Sequence, residues 1–248
     1  MLLKNKKPVL LLTTILVLSS LFVLDSCTTR KKSVKRNDTA LNTPNYTQIK
    51  KAVNTKGGEF YYPELLRRFE AADTTLTSEQ LYYLYYGTAT RSDHNPYKLI
   101  KYKEINEALS GDKITEENRR KAAQIIESEL QSDPTNLRLH FYKQMVYSNL
   151  YGHESEEYHD AVFQVRALLS AIMASGDGRS KETAIHVISV TDEYGFMEIL
   201  GVSPKMQSLI HDKDQSYDLM ELNENEYGLE SLYFNITVCM ETLNKLFQ

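Results

Sequence analysis

The chain has 248 residues, of which 42% are hydrophobic and 25% charged, ordinary values for one large globular domain or two small ones with a real core. Charge is divided along it. Residues 28–56 carry +7, whereas residues 57–248 hold 18 basic and 31 acidic residues, a balance of −13 that repels phosphate backbones and excludes nucleic acid as a partner.

At the start, Met1–Lys7 is short and basic, and Pro8–Leu24 is an apolar run interrupted by Thr13, Thr14, Ser19 and Ser20. This is the order of a secretory signal. The run ends in Leu24-Asp25-Ser26-Cys27, which resembles a bacterial lipobox, with Leu at −3 and a small residue before the Cys. Asp25 departs from the small or apolar residue usual at −2. The resemblance implies that residues 1–26 are cleaved and that Cys27 becomes an acylated first residue. A plain transmembrane anchor is the alternative, since about 17 apolar residues is near the lower limit for a bilayer. Two or more acyl chains hold a protein firmly on a membrane, where one does so marginally. The run Arg30-Lys31-Lys32-Ser33-Val34-Lys35-Arg36 then suits anionic headgroups or a solvated tether. Residues 28–56 have few large apolar side chains and are expected to be a disordered tether spanning about 30 Å. Thr28 and Thr29 supply neither an Asp nor an acidic run, so the expected location is the outer membrane, facing the periplasm.

Residues 57–178 read as helices. Tyr62, Leu65, Leu66, Phe69 and Ala72 mark the first stripe, with Pro63 in its opening turn. Thr77 and Gln80 have capping-box spacing before Leu81, Leu84 and Tyr85, and Gly87 is a stop. Leu99, Tyr102, Ile105 and Leu109 predict a helix ending near Gly111. Thr115 caps the next, with Ala122, Ile125, Ile126 and Leu130 on one face, stopping at Asp133-Pro134. Leu139–Leu150 and Tyr158–Ile172 follow, closed by Gly152 and Gly176. Short connections imply antiparallel hairpins, and Ser132-Asp133-Pro134-Thr135-Asn136 resembles a junction between tetratricopeptide-like repeats.

After Gly178 the pattern changes. Ala184–Val190, Phe196–Leu200 and Tyr217–Leu222 are short apolar segments, with Thr191–Gly195 read as a turn. Leu232, Phe234, Ile236 and Val238 alternate with Tyr233, Asn235 and Thr237, the clearest strand pattern. Residues 179–248 are therefore predicted to form a small antiparallel sheet with a short closing helix over Met240–Phe247. The fold class is α+β, tetratricopeptide-like helical hairpins followed by that sheet. Cys239 sits among apolar neighbours as a buried free thiol.

Asp73-Thr74-Thr75-Leu76-Thr77, Leu84-Tyr85-Tyr86-Gly87, Asn95-Pro96-Tyr97, the segment from Gly176 to Ala184 and Glu241–Phe247 together resemble a family of Bacteroidetes lipoproteins known as domain of unknown function 4919. The resemblance covers roughly residues 45–248. It brings no established activity, so no catalytic residues carry over. It does imply O-glycosylation at Asp-(Ser/Thr)-small or apolar triplets, for which Thr39 and Thr74 are the candidates.

Other chemistry is weighed residue by residue. His153, Glu154, Glu156, Glu157, His159 and Asp160 crowd together, and Glu156 and His159 have dimetal-bundle spacing, but the second copy such a site needs is missing. A solvated acidic helix start explains them better. Asp212, Asp214 and Ser216 have the first spacings of a calcium loop, with Tyr217 where its glycine belongs. Gly176-Asp177-Gly178 fits a helix stop and tight turn. Tyr61, Tyr62, Tyr82, Tyr83, Tyr85 and Tyr86 suit a binding surface less well than the edge of a core with hydroxyls reaching water. No catalytic, metal or cofactor residues are assigned. The expectation is a lipid-anchored envelope protein that binds or scaffolds, held by membrane lipid through acylated Cys27 and offering a surface to a protein or peptide. The alternative is an envelope hydrolase or transferase with a non-local site built from His153, His159 or His186 and carboxylates.

Overall fold

The computed structural model describes residues 43–110 and 114–246. The expected signal peptide, Cys27, the basic run, Thr39 and the stop at Gly111 lie outside the described residues. Among the described residues the chain forms an α+β fold of nine helices and a four-stranded mixed sheet.

The first helix, α1 (Tyr46–Val53), corrects the disordered-tether expectation for residues 46–53. Asn45 caps it by accepting from the Gln48 amide at 3.0 Å, and Ile49 and Val53 are buried. One polar-looking segment thus presents an apolar stripe to the core. Next come α2 (Tyr62–Glu70) and α3 (Ser78–Thr88), the latter opened by the expected box of Thr77 and Gln80. Helix α4 (Tyr102–Ala108) begins later than the Leu99 stripe predicts, and Leu99 is 94% exposed. Then follow α5 (Glu116–Leu130), α6 (Leu137–Leu150) and α7 (Glu156–Met173), capped by Thr115, Asn136 and Ser155 as acceptors for early helix amides.

Strand β1 (Ile185–His186) is a fragment of the predicted 184–190 strand. The predicted strand at Phe196–Leu200 and the turn at Thr191–Gly195 are corrected to a single helix, α8 (Val190–Leu200). Ser189 caps it, Asp192 and Glu193 occupy its first turn, and Gly201 ends it in the left-handed conformation (φ 69°). Those are ordinary start and stop signals that the β-branched run before them obscures. Strands β2 (Pro204–Asp212), β3 (Gln215–Leu222) and β4 (Ser231–Asn235) follow, and α9 (Thr237–Leu246) closes the fold, starting earlier than expected.

The sheet runs β1-β4-β3-β2. Strands β2, β3 and β4 are antiparallel neighbours, but β1 pairs parallel to β4 through Ile185–Phe234 and His186–Asn235. The purely antiparallel sheet is therefore corrected. A parallel pair needs a long crossover, and here α8, β2 and β3 separate its two strands. One face of β3 buries Ser216, Asp218, Met220 and Leu222.

The main core joins helices and sheet. Phe69, Leu84, Tyr85, Tyr86, Leu168, Ile172 and Phe234 are fully buried in it. A smaller cluster of Ile105, Ala122, Ile126, Leu130, Leu139 and Val146 joins α4, α5 and α6. No helix among the described residues is long and apolar enough to cross a membrane.

Candidate functional site

The sequence-derived candidates do not converge. His153 and His159 are exposed at the start of α7, each beside the Tyr158 ring at 4.8 and 5.9 Å. His186 lies on β1, where its amide donates to Ser175 Oγ at 2.9 Å. Burial alone pulls its imidazole down to about 4. Among the described residues, no group of three or more His, Cys, Asp or Glu side chains could hold a metal ion. Asp212 pairs with Lys181 and Ser216 bonds His211 at 3.0 Å, so the calcium-like spacing belongs to a strand pair. At Gly176 a Cβ would meet the Thr183 carbonyl oxygen at 2.3 Å, and Gly178 has φ 71°, which accounts for both glycines. Thr74 is exposed in the turn between α2 and α3. Its neighbour Asp73 is held down at about 2 by Thr75 and Arg68.

The tyrosines are more interior than predicted. Tyr62, Tyr85 and Tyr86 are buried, and their hydroxyls find protein partners in place of water. Tyr62 bonds Thr88 at 3.0 Å, and Tyr86 donates to the His186 carbonyl at 3.0 Å. Tyr85 donates to Asp192 at 2.8 Å.

Those contacts lead to a centre that sequence reasoning missed. The first turn of α8 carries two buried acids, Asp192 and Glu193, and β3 brings a third, Asp218, to the same interior. Asp192 is fully satisfied, one oxygen by Tyr85 and the other by the Leu137 amide at 2.9 Å. Burial, then the Asp133 charge, pushes its carboxyl up to about 7. Glu193 has no exposed surface, and neither of its side-chain oxygens has a hydrogen-bond partner of ordinary geometry. Burial, then the carboxylate of Asp218, raises it well above the carboxylate range. Burial also raises Asp218, although the Gln207 amide donates to it at 2.7 Å. Cys239, equally buried, has a thiol pushed up by burial and then by Glu193, Asp192 and Asp218. A thiol in that setting is a poor nucleophile.

The signal for this centre was present in Ser189, Asp192, Glu193 and Gly201, once α8 is read as a helix. Asp218 joins them through the strand register, which no local pattern reveals. Chemically the centre can hold protons. All three carboxyls are buried, and they line neither of two surface hollows. One, of about 210 Å³, lies between α1 and α2 beside Tyr61, Tyr62 and Arg91. The other, of about 560 Å³, lies on the sheet beside Lys205, Leu219, Glu221, Asn225 and Glu230.

Residues 47–245 match a family described as Domain of unknown function (DUF4919). The chain belongs to that family. No curated protein and no solved structure matches it. The DUF4919 match begins within α1 and ends within α9, so the unexpected first helix is part of the family's unit. Every buried acid of the centre falls inside it.

Proposed function

We propose that this chain is a lipid-anchored protein of the bacterial cell envelope whose body binds or scaffolds a partner. The observation that carries the reading is Leu24-Asp25-Ser26-Cys27 at the end of an apolar export run. Acyl chains on Cys27 would insert in the membrane, outer and periplasm-facing by the residues that follow, and the Bacteroidetes lineage of the family resemblance fits that address. The helical pairs α5–α6 and α6–α7 then act as tetratricopeptide-like hairpins offering a protein or peptide a surface. Thr39 and Thr74 are the O-glycan acceptors. Supporting a binding role, the most perturbed acids are buried within the fold.

A second reading, an envelope hydrolase or transferase, has one favouring feature. Glu193 and Asp218 face each other as catalytic acid pairs do, but both are enclosed. Crosslinking in cells separates the readings. A binding protein yields a defined crosslinked complex that persists in a Glu193→Gln/Asp218→Asn variant. Loss of every specific complex relative to a Cys27→Ser control counts against it.

A further inference from the structure

We propose that Glu193 and Asp218 share one proton, and that this proton latches helix α8 to the β2–β3 ribbon, so that its loss frees the ribbon.

The contacts form a ring through three elements. From α8, the Tyr194 hydroxyl donates to Gln207 Oε1 on β2 at 2.9 Å. The Gln207 amide group then donates to Asp218 Oδ2 on β3 at 2.7 Å. Asp218 and Glu193, which stands next to Tyr194 on α8, are buried together, Glu193 with neither oxygen partnered, and their mutual electrostatic interaction closes the ring. The bonds favour the proton on Glu193: Asp218 accepts from Gln207, which stabilises its anion, whereas Glu193 accepts from no ordinary partner. Gln207 uses its carbonyl oxygen on Tyr194, so its NH2 group must face Asp218, and Asp218 accepts. Two ionised carboxylates offer each other acceptors alone, which is why neither Glu193 oxygen finds an ordinary partner. A proton on Glu193 turns the same contact into a donor–acceptor pair.

The surroundings support this assignment. The groups acting on Glu193 are Asp218 from β3 and Asp192 from its own helix. The Cys239 thiol on α9, the Tyr97 phenol before α4 and the Tyr194 phenol interact with it in turn. None is a cation, and none donates a hydrogen bond to Glu193: the Tyr97 and Tyr194 hydroxyls are turned to Met240 and Gln207. Burial and Asp218 both hold its proton in place. Loss of that proton to a base in solvent would leave two facing anions away from water, and separation of β3 from α8 is the relief the topology allows. Strand β2 is the last strand of the sheet, paired to β3 alone. Strand β3 meets β4 over Tyr217–Glu221. Release would uncover the buried Met220 and Leu222 beside the already exposed Met206 and Leu209.

Two measurements on the full chain in detergent test the latch. Infrared spectra at pH 7 should contain the carbonyl band of a protonated carboxylic acid that Glu193→Gln removes. Hydrogen exchange across residues 204–222, corrected for intrinsic base catalysis, should rise with pH above the ordinary carboxylate range, approaching about tenfold per pH unit, as one-proton linkage requires. In Glu193→Gln, which keeps a donor toward Asp218, that corrected exchange should be flat. Absence of the band from the native protein overturns the proposal without reference to any variant. So does a pH slope in Glu193→Gln equal to that of the native chain, or no slope in either.

Discussion

Tyr85 on α3 donates its phenolic proton to Asp192 on α8 across 107 positions of chain, at 2.8 Å, with both side chains buried. The same phenol oxygen accepts from the Ile188 amide at 3.3 Å, and the other Asp192 oxygen accepts from the Leu137 amide that starts α6. Three helices and the segment between β1 and α8 therefore meet at one hydrogen-bonded pair. Such buried networks stabilise when complete and penalise when one member is missing.

Replacing Tyr85 with Phe keeps the ring and removes the donor, leaving a buried Asp192 oxygen and the Ile188 amide without their partner. The expected cost is about 1–3 kcal/mol. Thermal unfolding should show it as a midpoint lowered by several degrees. A midpoint unchanged within error would mean that water or another side chain satisfies Asp192.

The pH dependence of stability should carry contributions of opposite sign from buried histidines and buried acids. His140 is buried, bonds the Pro134 carbonyl through Nε2 at 2.9 Å, and is pulled down to about 4 mainly by burial. The fold holds it neutral, so its contribution is intact above the unfolded histidine value of about 6.5 and is lost as pH falls toward about 4. Asp192 has the opposite sign. Its carboxyl, at about 7 in the fold, keeps a proton that the unfolded chain releases near about 4, so stability falls as pH rises between those values. Urea midpoints measured from about pH 4 to 8 should therefore show a shallower acid-side decline in His140→Gln, which retains an amide donor for Pro134, with His186 supplying the remainder. Asp192→Asn should make the opposite slope shallower, with Glu193 supplying the remainder. Parallel profiles for native and variant proteins would refute the assignment.

Gly195 permits a close approach of α8 to α6. A Cβ there would lie 2.9 Å from both the amide nitrogen and the Cβ of Arg138. Backbone cannot retreat as a flexible side chain can. Gly195→Ala should cost about 1–3 kcal/mol despite alanine's better helix propensity. It should also weaken the Arg138–Glu198 ion pair, whose Nε to Oε2 bond is 3.0 Å. Chemical denaturation gives the loss, and an alanine variant as stable as the native protein would show that α8 sits farther away.

The helical half of the fold was legible because its caps and stripes are local. Thr77, Thr115 and the Tyr158–Ile172 face all lie where spacing puts them. Two elements escaped for opposite reasons. Helix α1 is hidden by Lys50, Lys51 and its polar neighbours, although Tyr46, Ile49 and Val53 share a face. Helix α8 follows the β-branched Val187 and Ile188 and opens on Val190, and its Gly195 reads as a break until Arg138 is seen against it. The short β1 and its parallel pairing with β4 depend on contacts between distant segments. So does the meeting of Glu193 with Asp218, two acids that look like surface residues in the sequence.

Helix α1 provides a direct check on the first of those corrections. Ile49 is buried and Lys50 beside it is exposed. Ile49→Ala should cost about 2 kcal/mol or more, whereas Lys50→Ala should stay within about 0.5 kcal/mol. Equal, negligible effects in unfolding experiments would return residues 46–53 to the tether.

Membrane attachment through Cys27 is tested most directly by intact-mass and peptide mass spectrometry of the protein recovered from membranes. The account requires a first residue at position 27 bearing thioether-linked diacylglycerol, with residues 1–26 removed. An N-terminal peptide that retains residues 1–26, or one that carries an unmodified Cys27 thiol, would contradict it.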